Sequence, residues 1–164
     1  MLWLRSAVFA TAFIGTFFVL IPRWILAASG HPAALIGFPL IAGSLVIVAG
    51  FALALWCWGL FGAIGRGTPA PFDPPRHLVV RGPYLYVRNP MYLAGLMMVL
   101  GPALVFGSVP LLEYAALYWF IVHLFVVIYE EPTLKRSFGA PYSEYRSKVR
   151  RWLPGRAFQE AEGT

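Results

Sequence analysis

The chain has 164 residues, of which 59% are hydrophobic and only 12% charged, and its mean hydropathy is +0.69. Soluble domains carry about 25% charged residues, so one domain with lipid as its main solvent is expected and a sizeable soluble domain is excluded. The net charge of +6 would suit nucleic acid, but the basic residues sit in two blocks beside apolar runs, where anionic headgroups attract them, and no nucleic-acid partner is expected.

The first apolar segment runs from about Leu4 to Ile21, and Pro22, Arg23 and Trp24 read as the interfacial anchor that closes it. A signal peptide cleaved near Ala27, Ala28 and Ser29 is the competing reading; the single Arg5 ahead of a long apolar stretch favours a membrane helix. The second segment, about Ala34 to Ile64, is longer than a hydrocarbon core requires, so it either tilts or projects Trp56, Trp58 and Phe61 into the interface. Gly43 and Gly50 lie on one face of it and would let a neighbouring helix approach closely.

Residues 65–90 form a connector whose prolines forbid a long regular helix. Phe72, Tyr84 and Tyr86 argue that it is ordered, since disordered segments usually have few aromatics. The third segment, Met91 to about Phe106, is short. Gly107, Ser108 and Val109 read as a tight turn, and Pro110 suits the start of the fourth segment, which runs to Tyr129. The tail, 130–164, is charged and largely helix-compatible.

These segments predict an all-α integral membrane protein with about four transmembrane helices, a cytoplasmic connector and a C-terminal helical segment. The boundaries are two N-terminal helices in 1–64, then connector, helical hairpin and C-terminal segment in 65–155, then a tail in 156–164, all in one domain. Of the thirteen Lys and Arg residues, only Arg23 falls away from the side shared by the connector and both termini. The positive-inside rule makes that side cytoplasmic.

The chemistry-bearing residues gather on the same side. Glu130 and Glu131 are adjacent carboxylates at a membrane helix end, costly there unless solvated or paired. They read either as a solvated charge pair or as a site for a cation or polyhydroxylated ligand. His123 lies seven residues earlier, near the same helical face, and is either a substrate contact or a neutral histidine bonded to a neighbouring helix. Tyr142 and Arg146, four apart, would share a face, with Arg146 able to hold a carboxylate or phosphate or merely a lipid headgroup. Cys57 is the only cysteine, so no intrachain disulfide is expected, and His31, His77 and His123 are too scattered to suggest a metal site.

The stretch Gly82-Pro83-Tyr84, then Arg88-Asn89-Pro90-Met91-Tyr92-Leu93-Ala94-Gly95, then Glu130-Glu131 followed by Phe138-Gly139, Tyr142, Tyr145 and Pro154, resembles the isoprenylcysteine carboxyl methyltransferase and phospholipid methyltransferase superfamily. The resemblance covers roughly residues 65–155. It implies an all-helical membrane enzyme that binds S-adenosylmethionine in a cytosol-facing pocket and takes a lipophilic acceptor from the bilayer. On this reading Gly82, Pro83, Tyr86, Arg88, Asn89, Tyr92, Glu130 and Glu131 bind the cofactor. His123, Tyr142 and Arg146 meet the acceptor, and Glu131 and Arg146 serve the reaction. Asn89 stands where carboxyl methyltransferases usually carry histidine, and Pro132 where they often carry arginine. These forms look closer to phosphatidylethanolamine methyltransferases, and Gly65-Arg66-Gly67 resembles a Gly-x-Gly cofactor motif. The acceptor stays open among an isoprenylcysteine carboxylate, a phospholipid amine and a small hydrophobic molecule. An NADPH-dependent sterol-reductase-like enzyme and a non-enzymatic membrane subunit are the alternatives.

Overall fold

The computed structural model describes residues 8, 11–30, 33–65 and 76–159, and among these every regular element is helical. Helix α1 covers Thr11–Ala28, α2 Phe38–Gly65, α3 Pro90–Phe106, α4 Val109–Phe125 and α5 Glu131–Lys148. Three helical runs are long and apolar enough to cross a membrane: α1, α2, and the continuous run from α4 into α5. The fourth apolar helix, α3, is shorter. At 1.5 Å per residue its 17 residues span about 25 Å, a little less than a hydrocarbon core of roughly 30 Å. The chain is an all-α integral membrane protein.

Pro22, expected to close the first segment, instead lies inside α1. A proline ring clashes with the carbonyl four residues back and offers no N–H. Here the preceding turn, Thr16–Leu20, is wound as π-helix, which accommodates that defect without ending the helix. The same device recurs at Pro132. The π-helical turn Val126–Glu130 precedes it, so the fourth segment does not stop at Tyr129 but runs on into α5.

The main helix contact is α2 against α3. Among the described residues α2 buries only Gly43, Gly50, Cys57 and, at its end, Gly65, and the first three form a stripe with one residue every seven. Lipid tails are as apolar as leucine, so close van der Waals packing, not hydrophobic exclusion, must join two such helices. A Cβ at Gly43 would sit 2.7 Å from the carbonyl oxygen of Gly101, and one at Gly50 would sit 2.9 Å from that of Ala94. Ile41, Leu45, Val48, Phe51 and Trp56 of α2 stay exposed for lipid.

Gly107 closes α3 in the left-handed conformation, and the Ser108 hydroxyl accepts from the Leu111 amide to start α4. This is the expected hairpin. Within the connector the Arg76 amide donates back to the Gly65 carbonyl at 2.8 Å. Phe72, Arg66 and Gly67, and with them the Gly-x-Gly reading, lie outside the described residues. From residue 78 the connector is extended, and alternate side chains go opposite ways. Val79 joins Cys57 and Tyr84 beneath α2, whereas Leu78 and Val80 pack on Tyr142, Tyr145 and Val149.

Candidate functional site

The start of α3, the end of α4 and the returning segment after α5 meet at one place. Residues 150–158 run back along the connector. The Arg88 amide donates to the Arg150 carbonyl (3.0 Å), Gly155 to Tyr86 (3.0 Å) and Phe158 to Leu85 (2.9 Å). Side chains add two more ties: Asn89 Nδ2 donates to the Arg151 carbonyl at 3.1 Å, and the Tyr145 hydroxyl to the Tyr84 carbonyl at 2.6 Å. Connector and tail, separate in sequence, are thereby one surface.

At its centre is Glu131, which is only 4% exposed. Arg151 grips it with both ends of its guanidinium, Nε to Oε1 at 2.6 Å and Nη2 to Oε2 at 3.0 Å. Arg88 Nη1 lies 3.2 Å from Oε1, and Arg146 Nε 3.5 Å from Oε2. Such two-point pairing is the strong form of charge-assisted hydrogen bonding. It raises the Arg151 pKa above its ordinary value. Three guanidinium groups around one carboxylate leave a surplus of positive charge.

Arg88 sharpens that surplus. Its side chain is 9% exposed, and neither Nε nor Nη1 makes a well-aligned hydrogen bond. Nη1 is close to Glu131 but lies off the line that a bond needs. The Tyr142 and Tyr145 phenols are further polar neighbours of Arg88. Buried donors without acceptors are expensive, roughly 1–3 kcal/mol and more for charged groups. The pocket is therefore short of acceptor oxygens.

Glu130 is arranged differently. Its Oε2 accepts from the Tyr92 hydroxyl at 2.7 Å, and no ion pair engages it among the described residues. Tyr92 is fixed in turn by edge-on packing with Phe125 and by the Tyr118 hydroxyl, which donates to the Tyr92 carbonyl at 3.2 Å. The two adjacent glutamates thus face different surroundings: one is saturated with cations, the other shows an unpaired carboxylate beside aromatic rings.

His123 accepts at Nδ1 from the Trp152 indole N–H at 3.0 Å, so the ring proton of this tautomer resides on Nε2. Trp152 also packs against Trp119 in a tilted contact, with ring centres 4.4 Å apart. Of the expected residues, Arg88, Asn89, Tyr92, Glu130, Glu131, Tyr142 and Arg146 are brought together. Gly82 and Pro83 instead form a 3-10 turn, Gly82–Leu85, seated against Trp56 and Leu60, and Tyr86 directs its side chain outward. Tyr142 is buried and Arg146 exposed, although they lie one turn apart. Sequence reasoning missed Arg151 and Trp152. The signal for Arg151 was the need of a membrane-edge carboxylate for a cation; the signal for Trp152 was a lone indole within a basic tail.

The sequence model of the phospholipid methyltransferase family matches residues 38–141, more than half of the chain. No curated protein and no solved structure matches it.

Proposed function

The chain belongs to the phospholipid methyltransferase family and is a membrane methyltransferase; from that premise we propose that it uses S-adenosylmethionine to methylate a lipophilic acceptor at the cytoplasmic face. The observation that carries the cofactor assignment is the buried, under-bonded Arg88 inside a cluster with surplus positive charge. S-adenosylmethionine has a carboxylate to fill those donors, which leaves Glu130 to face the acceptor. The residues therefore fit the group. When bound, it supplies an electrophilic methyl on sulfur.

The protein's share is positioning and exclusion of water, and orienting two reactants can lower a barrier by as much as about 7–11 kcal/mol. Glu131 holds Arg88, Arg146 and Arg151 in one array, Asn89 pins the returning segment that carries Arg151, and Tyr92 fixes Glu130. The lipophilic acceptor fits the surroundings of Glu130: Phe125, Ile128 and Tyr129 stand exposed beside it on the membrane run. An acceptor arriving from the bilayer there keeps its apolar part in lipid while its polar head meets Tyr92 and Glu130. An amine acceptor has to lose a proton, and of the groups considered Glu130 is the one with an uncommitted oxygen. Glu131 is saturated by arginines, and the His123 Nδ1 lone pair is taken by Trp152.

Calorimetric titration of the purified chain in detergent tests the cofactor. S-adenosylhomocysteine should bind and NADPH should not; absence of S-adenosylhomocysteine binding to folded protein would overturn the assignment. Membrane extracts incubated with methyl-labelled S-adenosylmethionine then identify the acceptor by mass spectrometry. Sidedness is tested separately in a Cys57→Ala background, with an impermeant thiol reagent on intact cells. Glu144→Cys and Arg76→Cys should be protected and Ser29→Cys labelled. Labelling of Glu144→Cys from outside would refute the cytoplasmic placement.

A further inference from the structure

Beyond the methyl-transfer site, α5 is bent, and the bend makes a second feature. Gly139 breaks the helix with φ 58° and ψ −125°. A Cβ there would meet no atom within 4 Å, so it is the left-handed backbone, not crowding, that calls for glycine. The break turns Tyr142, Tyr145 and Val149 inward onto Leu134 and Phe138. On the other face it leaves an open depression lined by Lys135, Ser143, Arg146 and Ser147.

Two cations and two hydroxyls line it, and no carboxylate does. Lys135 makes no ion pair among the described residues. The nearby carboxylates are committed elsewhere, Glu144 to Lys148 at 2.6 Å and Glu131 to its arginines. Arg146 has Nε 3.5 Å from Glu131, and its half-exposed side chain also lines the depression. Depth decides what can fill it. Helix α5 continues the membrane run directly, so Lys135, one turn beyond Glu131, lies at the level of lipid headgroups. A negative leaflet surface attracts each such cation by about 1 kcal/mol.

We propose that the depression at the bend of α5 binds the phosphate of an anionic phospholipid, one with no ammonium of its own to neutralise that phosphate. Lys135 and Arg146 hold the oxyanion; the Ser143 and Ser147 hydroxyls line the depression but donate their protons to the Gly139 and Glu144 carbonyls. Because the same guanidinium contacts Glu131 through Nε, an occupied site fixes Arg146 and stiffens the array around Glu131. Anionic lipid then acts as a structural ligand of the methyltransferase without being its acceptor.

Native mass spectrometry of the full chain in detergent tests this, with three probes: short-chain phosphatidylglycerol, short-chain phosphatidylcholine and inorganic phosphate. Phosphatidylglycerol should bind at least fivefold more tightly than phosphatidylcholine. Lys135→Gln should cut that affinity about fivefold, the loss of one surface cation, while the fold, followed by thermal unfolding, is unchanged. Equal binding of the two lipids, or an undiminished affinity in Lys135→Gln, would overturn the proposal. Competition by inorganic phosphate as strong as that by phosphatidylglycerol would also overturn it, by assigning the site to free phosphate. None of these readouts depends on methyl transfer, so failure of the cofactor assignment would leave them intact.

Discussion

Glu131→Ala should lower S-adenosylhomocysteine affinity by more than a hundredfold and lower the unfolding temperature at the same time. The reason is what the substitution strands. Glu131 is the common partner of Arg88, Arg146 and Arg151. Removing one member of a buried ion pair typically costs roughly 3–5 kcal/mol, because the remaining charge is left without compensation. Arg88 is the charge that cannot escape to water, being 9% exposed and already short of acceptors. Arg146 is half exposed and can be hydrated. Glu131→Gln keeps the shape and loses the charge, so it should fall between wild type and alanine. The double variant Glu131→Ala/Arg151→Ala should be much less impaired than the sum of its parts, since coupled neighbours are not additive. Arg150→Gln removes an exposed cation whose contribution to the connector is its backbone carbonyl, and should be near neutral. Wild-type affinity in a folded Glu131→Ala protein would remove Glu131 from the cofactor site altogether.

The same geometry explains Asn89. A histidine is usual there among carboxyl methyltransferases, and asparagine cannot act as a cation or a general base. In this chain its amide donates to the Arg151 carbonyl. That bond holds the returning segment from which the Arg151 side chain reaches Glu131. The job is positional, and a neutral amide can do it. Pro132 has a comparable account, since the π-helical turn before it lets the run from α4 continue into α5 and place Glu131 against the arginines.

Much of this was legible in the sequence because lipid leaves few choices. The apolar runs, the small-residue face of α2 and the Gly107-Ser108 hairpin follow from length, hydropathy and turn chemistry. The crowding of Arg88, Asn89, Tyr92, Glu130 and Glu131 at one membrane face follows from topology. What the sequence did not reveal depends on backbone geometry or on distant pairing. Pro22 reads as a stop, because nothing in the residues before it signals a π-helical turn. Arg151 and Arg150 are adjacent and identical in type, yet one grips Glu131 and the other is exposed. Only the return path of residues 150–158 distinguishes them. The sequence reads His123 two ways, and its partner Trp152 lies 29 residues away, beyond the reach of any helical periodicity.

Gly43→Ala, the addition of a single methyl, should destabilise the protein by roughly 1–3 kcal/mol, the usual cost of overpacking a well-filled contact. The added Cβ would lie 2.7 Å from the Gly101 carbonyl oxygen and 2.6 Å from a Val105 methyl. The methyl can rotate away; the carbonyl belongs to the α3 backbone and can yield only if the two helices separate. Gly59→Ala is the matched control in the same helix, because a Cβ there meets nothing within 4 Å. It should be neutral or stabilising, since alanine is favoured over glycine in a helix interior by about 1 kcal/mol. Gly43→Leu should exceed any local adjustment and prevent α3 from seating. The damage would then reach the site, because α3 carries Tyr92, whose hydroxyl holds Glu130. Thermal unfolding in detergent should therefore rank Gly59→Ala at or above wild type, then Gly43→Ala, then Gly43→Leu, with cofactor affinity falling in the same order. If Gly43→Ala unfolded at the wild-type temperature while Gly59→Ala did not, the close contact of α2 with α3 would not be what holds the hairpin in place.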